Sequence, residues 1–371
     1  MMSEAPSPFS SHTPKLQIAW DATSLRSLMT CPRQYQYQII EGWRPVQDKI
    51  DLEFGGYFAS AIERYKKARI EGSSKSAATL LAVRYAVEAT WTEDGPWGGR
   101  YEEMWHCTGS EPFRNAKGNR AKCPYSHKGS WFPAPAPGYC SCGSETATER
   151  QWVSNDRTKD RYTLVRLVSW YCDEQPEHVE DGAYPYVFPN GQPAVELSFK
   201  IPLPWGTSRP WGTSREEPYI LCGHLDSIMA YGNEHLIADN KTTKKALNAQ
   251  YFLQFQPNIQ MDVYDLAGTT LYPSLDIKGV MIEAAQTLTD GARFGVGITY
   301  RTDKQREELM GDLHYWISQA EKFAQDDYWP MNRANCYLCP FKVICSKEPE
   351  QRQRYLEAAF VKQPWNPLEE R

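Results

Sequence analysis

The chain has 371 residues, more than one hydrophobic core usually organises, so one large decorated domain or two modules are expected. Its composition, 41% hydrophobic and 23% charged, is that of an ordinary globular protein, and no apolar run is long enough to span a bilayer. A net charge of −5 excludes a globally basic nucleic-acid binder, and ten cysteines in so long a chain exclude a disulfide scaffold and point to metal or cluster ligands in a reducing cytoplasm.

Residues 1–18, polar and rich in Ser and Pro without a signal peptide's apolar stretch, read as a flexible tail. Residues 19–94 are helical in pattern. Thr23 or Ser24 can cap a helix running toward Tyr37. Phe54, Tyr57, Phe58, Ala61, Ile62, Tyr65 and Ala68 keep the i, i+3, i+4, i+7 spacing of an amphipathic helix, and an alanine-rich helix follows over 76–89. Residues 95–150 then turn rich in Gly, Pro, Trp and Cys without sustained periodicity, which marks an insertion. Over 151–330 the pattern predicts a helix near 158–174 and strands at 193–202, 219–230 and 234–239. A helix over 248–266, strands near 277–285 and 293–300, and a long helix over 304–324 come next. A cysteine-bearing C-terminal segment and tail occupy 331–371. Helices before and inside a run of strands predict an α/β fold, a mixed sheet with helices on its faces. The tandem "PWGTSRPWGTSR" at 204–215 lengthens a loop between two strands, which is cheap in free energy.

The chemistry gathers around "CGHLDSIMAYGNEHLIADNKTT". Two apolar runs joined by Gly232 and Asn233 read as a hairpin carrying Asp226 on one strand and Asp239, Asn240 and Lys241 on the other. Acids are poor strand formers and costly to bury unpaired, so a divalent cation is the natural partner. Magnesium takes one or two carboxylates with water and phosphate oxygens, and it polarises a phosphoryl group. Strand alternation puts Lys241 on the face of Asp239, where its charge can offset that building on a phosphate. Taken alone, these residues also fit a hairpin with solvated acids and a lysine. Further along, Gln260 and Tyr264 share a helical face; upstream, Glu63 lies on the amphipathic helix and Glu196 inside a strand.

The ordered set Gly-x7-Glu, Glu, Gly-x2-Asp, Asp-x-Lys-Thr and Gln-x3-Tyr resembles the PD-(D/E)XK nuclease superfamily, in its branch of RecB-like exonucleases and CRISPR-adaptation nucleases. The resemblance runs from Ser24 to Cys345, outside the 95–150 insertion and both tails. It implies a restriction-endonuclease-like core and a metal-dependent deoxyribonuclease. In such an enzyme Asp226, Asp239 and the Asn240 backbone hold Mg or Mn, with Glu196 as a further acid. Lys241 completes the hydrolytic site, Gln260 and Tyr264 border it, and Glu63 contributes from the helix. It also implies DNA as partner, cut from single-stranded ends in a recombination, repair, phage or adaptation setting. The family's helix usually carries a histidine four residues before its glutamate. Here that position is Ala59, which keeps open a DNA-binding module with a weak or dead site.

"NCYLCPFKVICSK" holds Cys336, Cys339 and Cys345, and "LMTCPRQYQY" holds Cys31. Four thiolates serve either a 4Fe–4S cluster or a zinc ion. One cysteine near the start and three near the end resemble the iron–sulfur staple of the same nuclease branch, so the cluster is the expectation. In the insertion Cys107, Cys123, Cys140 and Cys142, with His106 and His127 nearby, suggest zinc or plain unliganded thiols. Arg114, Lys117, Arg120, Lys122 and Lys128, interleaved with Phe113 and Tyr125, suit DNA phosphates and unpaired bases, or else a solvated loop. Cys172 and Cys222, without partners in sequence, read as core.

Overall fold

Runs of apolar residues pair into one seven-stranded mixed sheet in the computed structural model, which describes residues 7–45, 49–92, 95–109, 113–114, 120–121, 123, 131–133, 135–178, 182–207 and 217–369. The sheet comprises β1 (Ala19–Trp20), β2 (Val195–Gly206), β3 (Pro218–Tyr231), β4 (Glu234–Thr243), β5 (Ile277–Thr287), β6 (Ala292–Thr299) and the short strand Tyr184–Pro185. β3 carries β2 and Tyr184–Pro185 antiparallel along one edge. Along its other edge it pairs first with β1, in parallel, and then with β4 through a hairpin whose Gly232 takes a positive φ of 59°. β4 and β5 run parallel, and β6 closes the sheet antiparallel to β5.

Helices cover both faces, as the alternation of buried residues along β5 requires: Ile282 and Ala284 join one core and Ala285 the other. The first core packs α1 (Ala22–Thr30), α5 (Ile259–Leu271) and α6 (Asp303–Gln325) on the sheet through Leu25, Leu28, Met261, Val263, Leu313 and Ile317. The second gathers α2 (Lys49–Ile70), α3 (Lys75–Ala89) and α4 (Arg161–Glu174) around Phe54, Phe58, Ile62, Leu164 and Leu167. α5 lies close on the sheet: a Cβ at Gly268 would come within 2.6 Å of Ile237 Cδ1. The result is a restriction-endonuclease-like α/β fold with a cysteine-rich region. Among the described residues no helix is long and apolar enough to cross a membrane.

Local chemistry departs from the sequence expectations at several points. The first helix is capped by Asp21, whose carboxylate accepts from the amides of Thr23 and Ser24 while the Ser24 hydroxyl meets the Asp21 amide. That helix ends at Thr30 rather than running to Tyr37, because Cys31 precedes Pro32 and is forced out of the helical region, to φ −164° and ψ 112°. The helix expected over 248–266 is two, Ala249–Leu253 and α5, since Pro257 between them cannot donate a helical hydrogen bond. Of the tail expected over 1–18, residues 1–6 lie outside the described residues; the rest folds back against the sheet, with the Ile18 amide on the Pro8 carbonyl, the Ile220 amide on the Ile18 carbonyl, and Leu16 and Gln17 fully buried. The insertion contains a three-stranded antiparallel sheet, Phe132–Pro133, Gly99–Cys107 and Thr146–Ser154 in that order. A second small pair joins Trp43–Pro45 to Phe360–Lys362.

Candidate active site

The cleft begins where one edge of β3 changes partner. β1 bonds that edge at Ile220 and Leu221, and β4 takes it up from Ser227. The short edge between them, Cys222 to Asp226, has no strand paired on that side, and Cys222, Gly223, His224 and Asp226 line the cleft. There the Asn240 amide N–H donates to Asp226 Oδ2 at 2.8 Å, and its side-chain amide reaches the same oxygen at 3.3 Å. A carboxylate thus takes the place of a ladder carbonyl, and the strands splay around it.

Asp239 and Lys241 follow on β4 with side chains on one face, as period two dictates. The ammonium meets both Asp239 oxygens, at 2.9 and 2.7 Å, and reaches Gln260 Oε1 at 3.1 Å. The Gln260 amide in turn donates to Asp239 Oδ1 at 3.2 Å and contacts the Tyr264 hydroxyl at 3.0 Å. α5 presents these two side chains because Asn258 caps its first turn. The structure therefore brings Asp226, Asp239, Asn240, Lys241, Gln260 and Tyr264 to one wall of a cleft of about 670 Å³.

Electrostatically the wall is under-compensated. Asp239 is only 2% exposed, and burial pushes its carboxyl up to about 6. Lys241 pulls the value down, while Asp226 and Glu283 push it further up. Asp239 Oδ2 touches the lysine yet accepts no well-directed hydrogen bond. A buried acid beside a half-buried one suits a hard cation. Among the described residues no third His, Cys, Asp or Glu joins both aspartates within 4.8 Å, and a two-carboxylate set with waters fits magnesium or manganese.

The other expected acids sit differently. The β2–β3 register places Glu196 across from Asp226, between the pairs Val195–Ser227 and Leu197–Leu225, and its φ of 53° is a left-handed outlier inside a strand. Glu63 pairs with Lys67 along α2 at 2.5 Å rather than entering the cleft. Ala59, one turn earlier, does line it, with Gly55 beside it. Sequence reasoning missed His224, Asp21, Arg44 and Trp365, which also line the cleft, with Gln363, Pro364, Asn366, Pro367 and Glu369 beside Trp365. His224 had a signal, since it precedes Asp226 by two and shares its face. Arg44 had none; burial lowers its affinity for the proton, and its guanidinium stacks 5.2 Å from the Trp365 ring.

The first cysteine set lies where α1 ends. The Asn332 amide N–H points at Cys31 Sγ at 3.3 Å, and Cys339 and Cys345 pack against Tyr37 and Phe341. Burial raises the Cys339 and Cys345 thiols, the latter to about 11, and Cys31 adds to both shifts, with Cys336 acting on Cys339. Among the described residues, no three of these four thiols lie within 4.8 Å of one another. Cys107, Cys123, Cys140 and Cys142 do close to that distance, at the end of strand Gly99–Cys107. His106 instead sets its ring edge-on to Trp131. Of the basic residues in this segment, only the backbones of Arg114 and Arg120 are described, in a short antiparallel pair; Lys117, Lys122, Lys128 and also His127 lie outside the described residues. Cys172 and Cys222 are buried, as expected of core residues.

No curated protein matches the chain. A solved structure titled "Crystal structure of SSO0001" is 14% identical over 41% of this chain, with a TM-score of 0.21, and the alignment spans 59% of that structure's own chain. A likeness that slight carries no weight. The pattern of the PD-(D/E)XK nuclease superfamily matches residues 156–346. That stretch runs from just before α4 through the β3–β4 hairpin, α5 and α6 to just past Cys345. Since it takes in just over half of the chain, the chain belongs to the PD-(D/E)XK nuclease superfamily.

Proposed function

We propose that the protein is a metal-dependent deoxyribonuclease, an exonuclease acting on single-stranded DNA or DNA ends in a recombination, repair, phage or CRISPR-adaptation setting. The observation that carries this reading is the closed Asp239–Lys241–Gln260 network beside Asp226, on a strand edge left open to a cleft. Asp226 and Asp239 would hold Mg or Mn, which when bound supplies Lewis acidity toward the scissile phosphate. Lys241 is 28% exposed, fixed by two partners and free to present its remaining N–H toward water or a phosphate oxygen. Gln260 locks that ammonium in place, so little reorganisation is needed as charge develops. Arg44 and His224, which also line the cleft, would grip flanking phosphates in this reading. Cys31, Cys336, Cys339 and Cys345 hold a 4Fe–4S cluster in this reading, a structural staple remote from the chemistry.

One observation favours a second reading, a DNA-binding module of weak or no activity: the cleft position on α2 is Ala59, which has no ligand atom. End-labelled single- and double-stranded DNA, with circular single strands as control, would be incubated with the protein in Mg or Mn. Digestion of linear strands with circles spared is expected. Cleaved circles would make it an endonuclease, and retarded but uncut DNA in every metal would leave only the binding module.

A further inference from the structure

Apart from the cleft, the four insertion cysteines carry the most information. Their sulfur atoms all lie within 4.8 Å of one another, and three of the four residues are buried. Cys107 Sγ is 3.4 Å from Cys142 Sγ, and Cys123 Sγ is 3.4 Å from Cys140 Sγ. A disulfide would need about 2.05 Å, so neither pair is bonded. A tetrahedral zinc with Zn–S near ~2.3 Å would separate its sulfurs by about 3.8 Å, close to what is seen.

The backbone around the sulfurs is built for ligation. Cys140 and Cys142 sit in a tight turn closed by the Gly143 amide on the Cys140 carbonyl and the Cys140 amide on the Ser144 carbonyl, both 2.8 Å. Gly143 takes φ 87°, which lets the turn fold back. The Gly109 amide N–H points at Cys107 Sγ at 3.4 Å, the contact that stabilises a thiolate.

Packing gives an independent reason. Among the described residues, the buried cluster at this end of the insertion consists of the cysteines alone. The adjoining strands Gly99–Cys107 and Thr146–Ser154 are largely exposed or half-exposed. A small sheet without an apolar core needs a covalent or metal staple.

We propose that Cys107, Cys123, Cys140 and Cys142 bind one structural zinc ion that closes the distal end of the insertion. On binding, the thiols release their protons to solvent and each sulfur donates an electron pair; no oxidant takes part. The site is independent of the nuclease reading, because none of its ligands borders the cleft.

The test uses the full chain, purified without chelator, with zinc and iron measured by plasma mass spectrometry. One zinc per chain is expected, in addition to any iron. The double variant C140S/C142S should lose that zinc and keep the iron content and absorbance of wild type. Replacing zinc with Co(II) should give the intense visible bands of a tetrahedral tetrathiolate in wild type and not in the variant. A second measurement on wild type alone guards against a variant that fails to fold: chelation should expose the four thiols to alkylation and speed proteolysis between residues 108 and 145. Zinc-free wild type with two disulfides by mass, or unprotected thiols after zinc is added, would overturn the site. None of these readings involves DNA cleavage, so failure here and failure of the nuclease assignment are told apart.

Discussion

Asp239 is held where water cannot solvate it, and its ionisation therefore works against the metal-free fold. Its carboxyl titrates near about 6 in the folded chain, above the ordinary ~3.9 of the unfolded one. A raised acid favours folding while protonated, so its contribution is complete below about pH 4 and is lost as pH rises through 6. Asp239→Asn should then be more stable than wild type at pH 7.5 without metal, by up to about 3 kcal/mol, and equal to it at pH 4. Urea unfolding of both proteins at the two pH values checks this; equal stability at pH 7.5 would show the charge to be compensated. The same variant, like Asp226→Ala and Lys241→Ala, should cut no DNA, and wild-type rates in any of them would sink the site assignment. Ala59 is half-buried and lines the cleft, so a larger side chain has room there. Ala59→His should fold normally and gain more in Mn-supported than in Mg-supported cleavage, since imidazole prefers the softer ion. Titrations of both metals, with melting temperatures alongside, measure it. Asp226, Asp239 and Lys241 were legible in sequence because their chemistry is local to one hairpin. Arg44 and Trp365 were not, because only the closed fold brings them near.

Between elements, one polar tie is a buried ion pair. Lys66 of α2 meets Glu283 of β5 at 2.6 Å, with the two side chains 7% and 12% exposed, and the Tyr171 hydroxyl of α4 donates to the same carboxylate at 3.1 Å. Three elements are thus registered on one carboxylate behind the cleft. Lys66→Met should cost about 3–5 kcal/mol, because it leaves the Glu283 charge buried without its counter-ion, with only the Tyr171 hydroxyl on it. Adding Glu283→Leu should restore most of that loss, and a double-mutant cycle in urea tests it. If the double variant is no better than the single, the pair is not the tie. Most of these helices could be read from apolar spacing: α2, α3, α4 and α6 fall close to their expected spans. The breaks at Cys31 and Pro257 carried a visible signal in the prolines, which the longer apolar periodicity outweighed. The insertion strands had no such signal, since a sheet wetted on both faces shows no clean alternation.

Over the whole molecule, the ends are tied together: the Asn332 amide points at Cys31 Sγ, Trp43–Pro45 pairs with Phe360–Lys362, and the Trp365 indole donates to Asp21 at 3.1 Å. Anaerobically purified protein should be brown, absorb near ~400 nm and carry about four irons per chain. Cys339→Ser should bleach it and lower the melting temperature of the entire domain; colourless wild type with one zinc at these residues would replace the cluster by zinc. The cysteine spacing made a ligand set legible, whereas the Trp365 contact, made by a residue type with no chemical signature, could only be seen once folded. That last contact also bears on how the protein is born. Asp21 and Trp365 are separated by 344 residues, so at a synthesis rate of about 5–20 residues per second roughly 20–70 s pass between them on the ribosome. Once Lys241 has been added, and until Trp365 follows, the growing chain holds both aspartates and the lysine but lacks the wall that Trp365 completes. Its cleft is therefore assembled late, after translation has passed the hairpin that bears its chemistry.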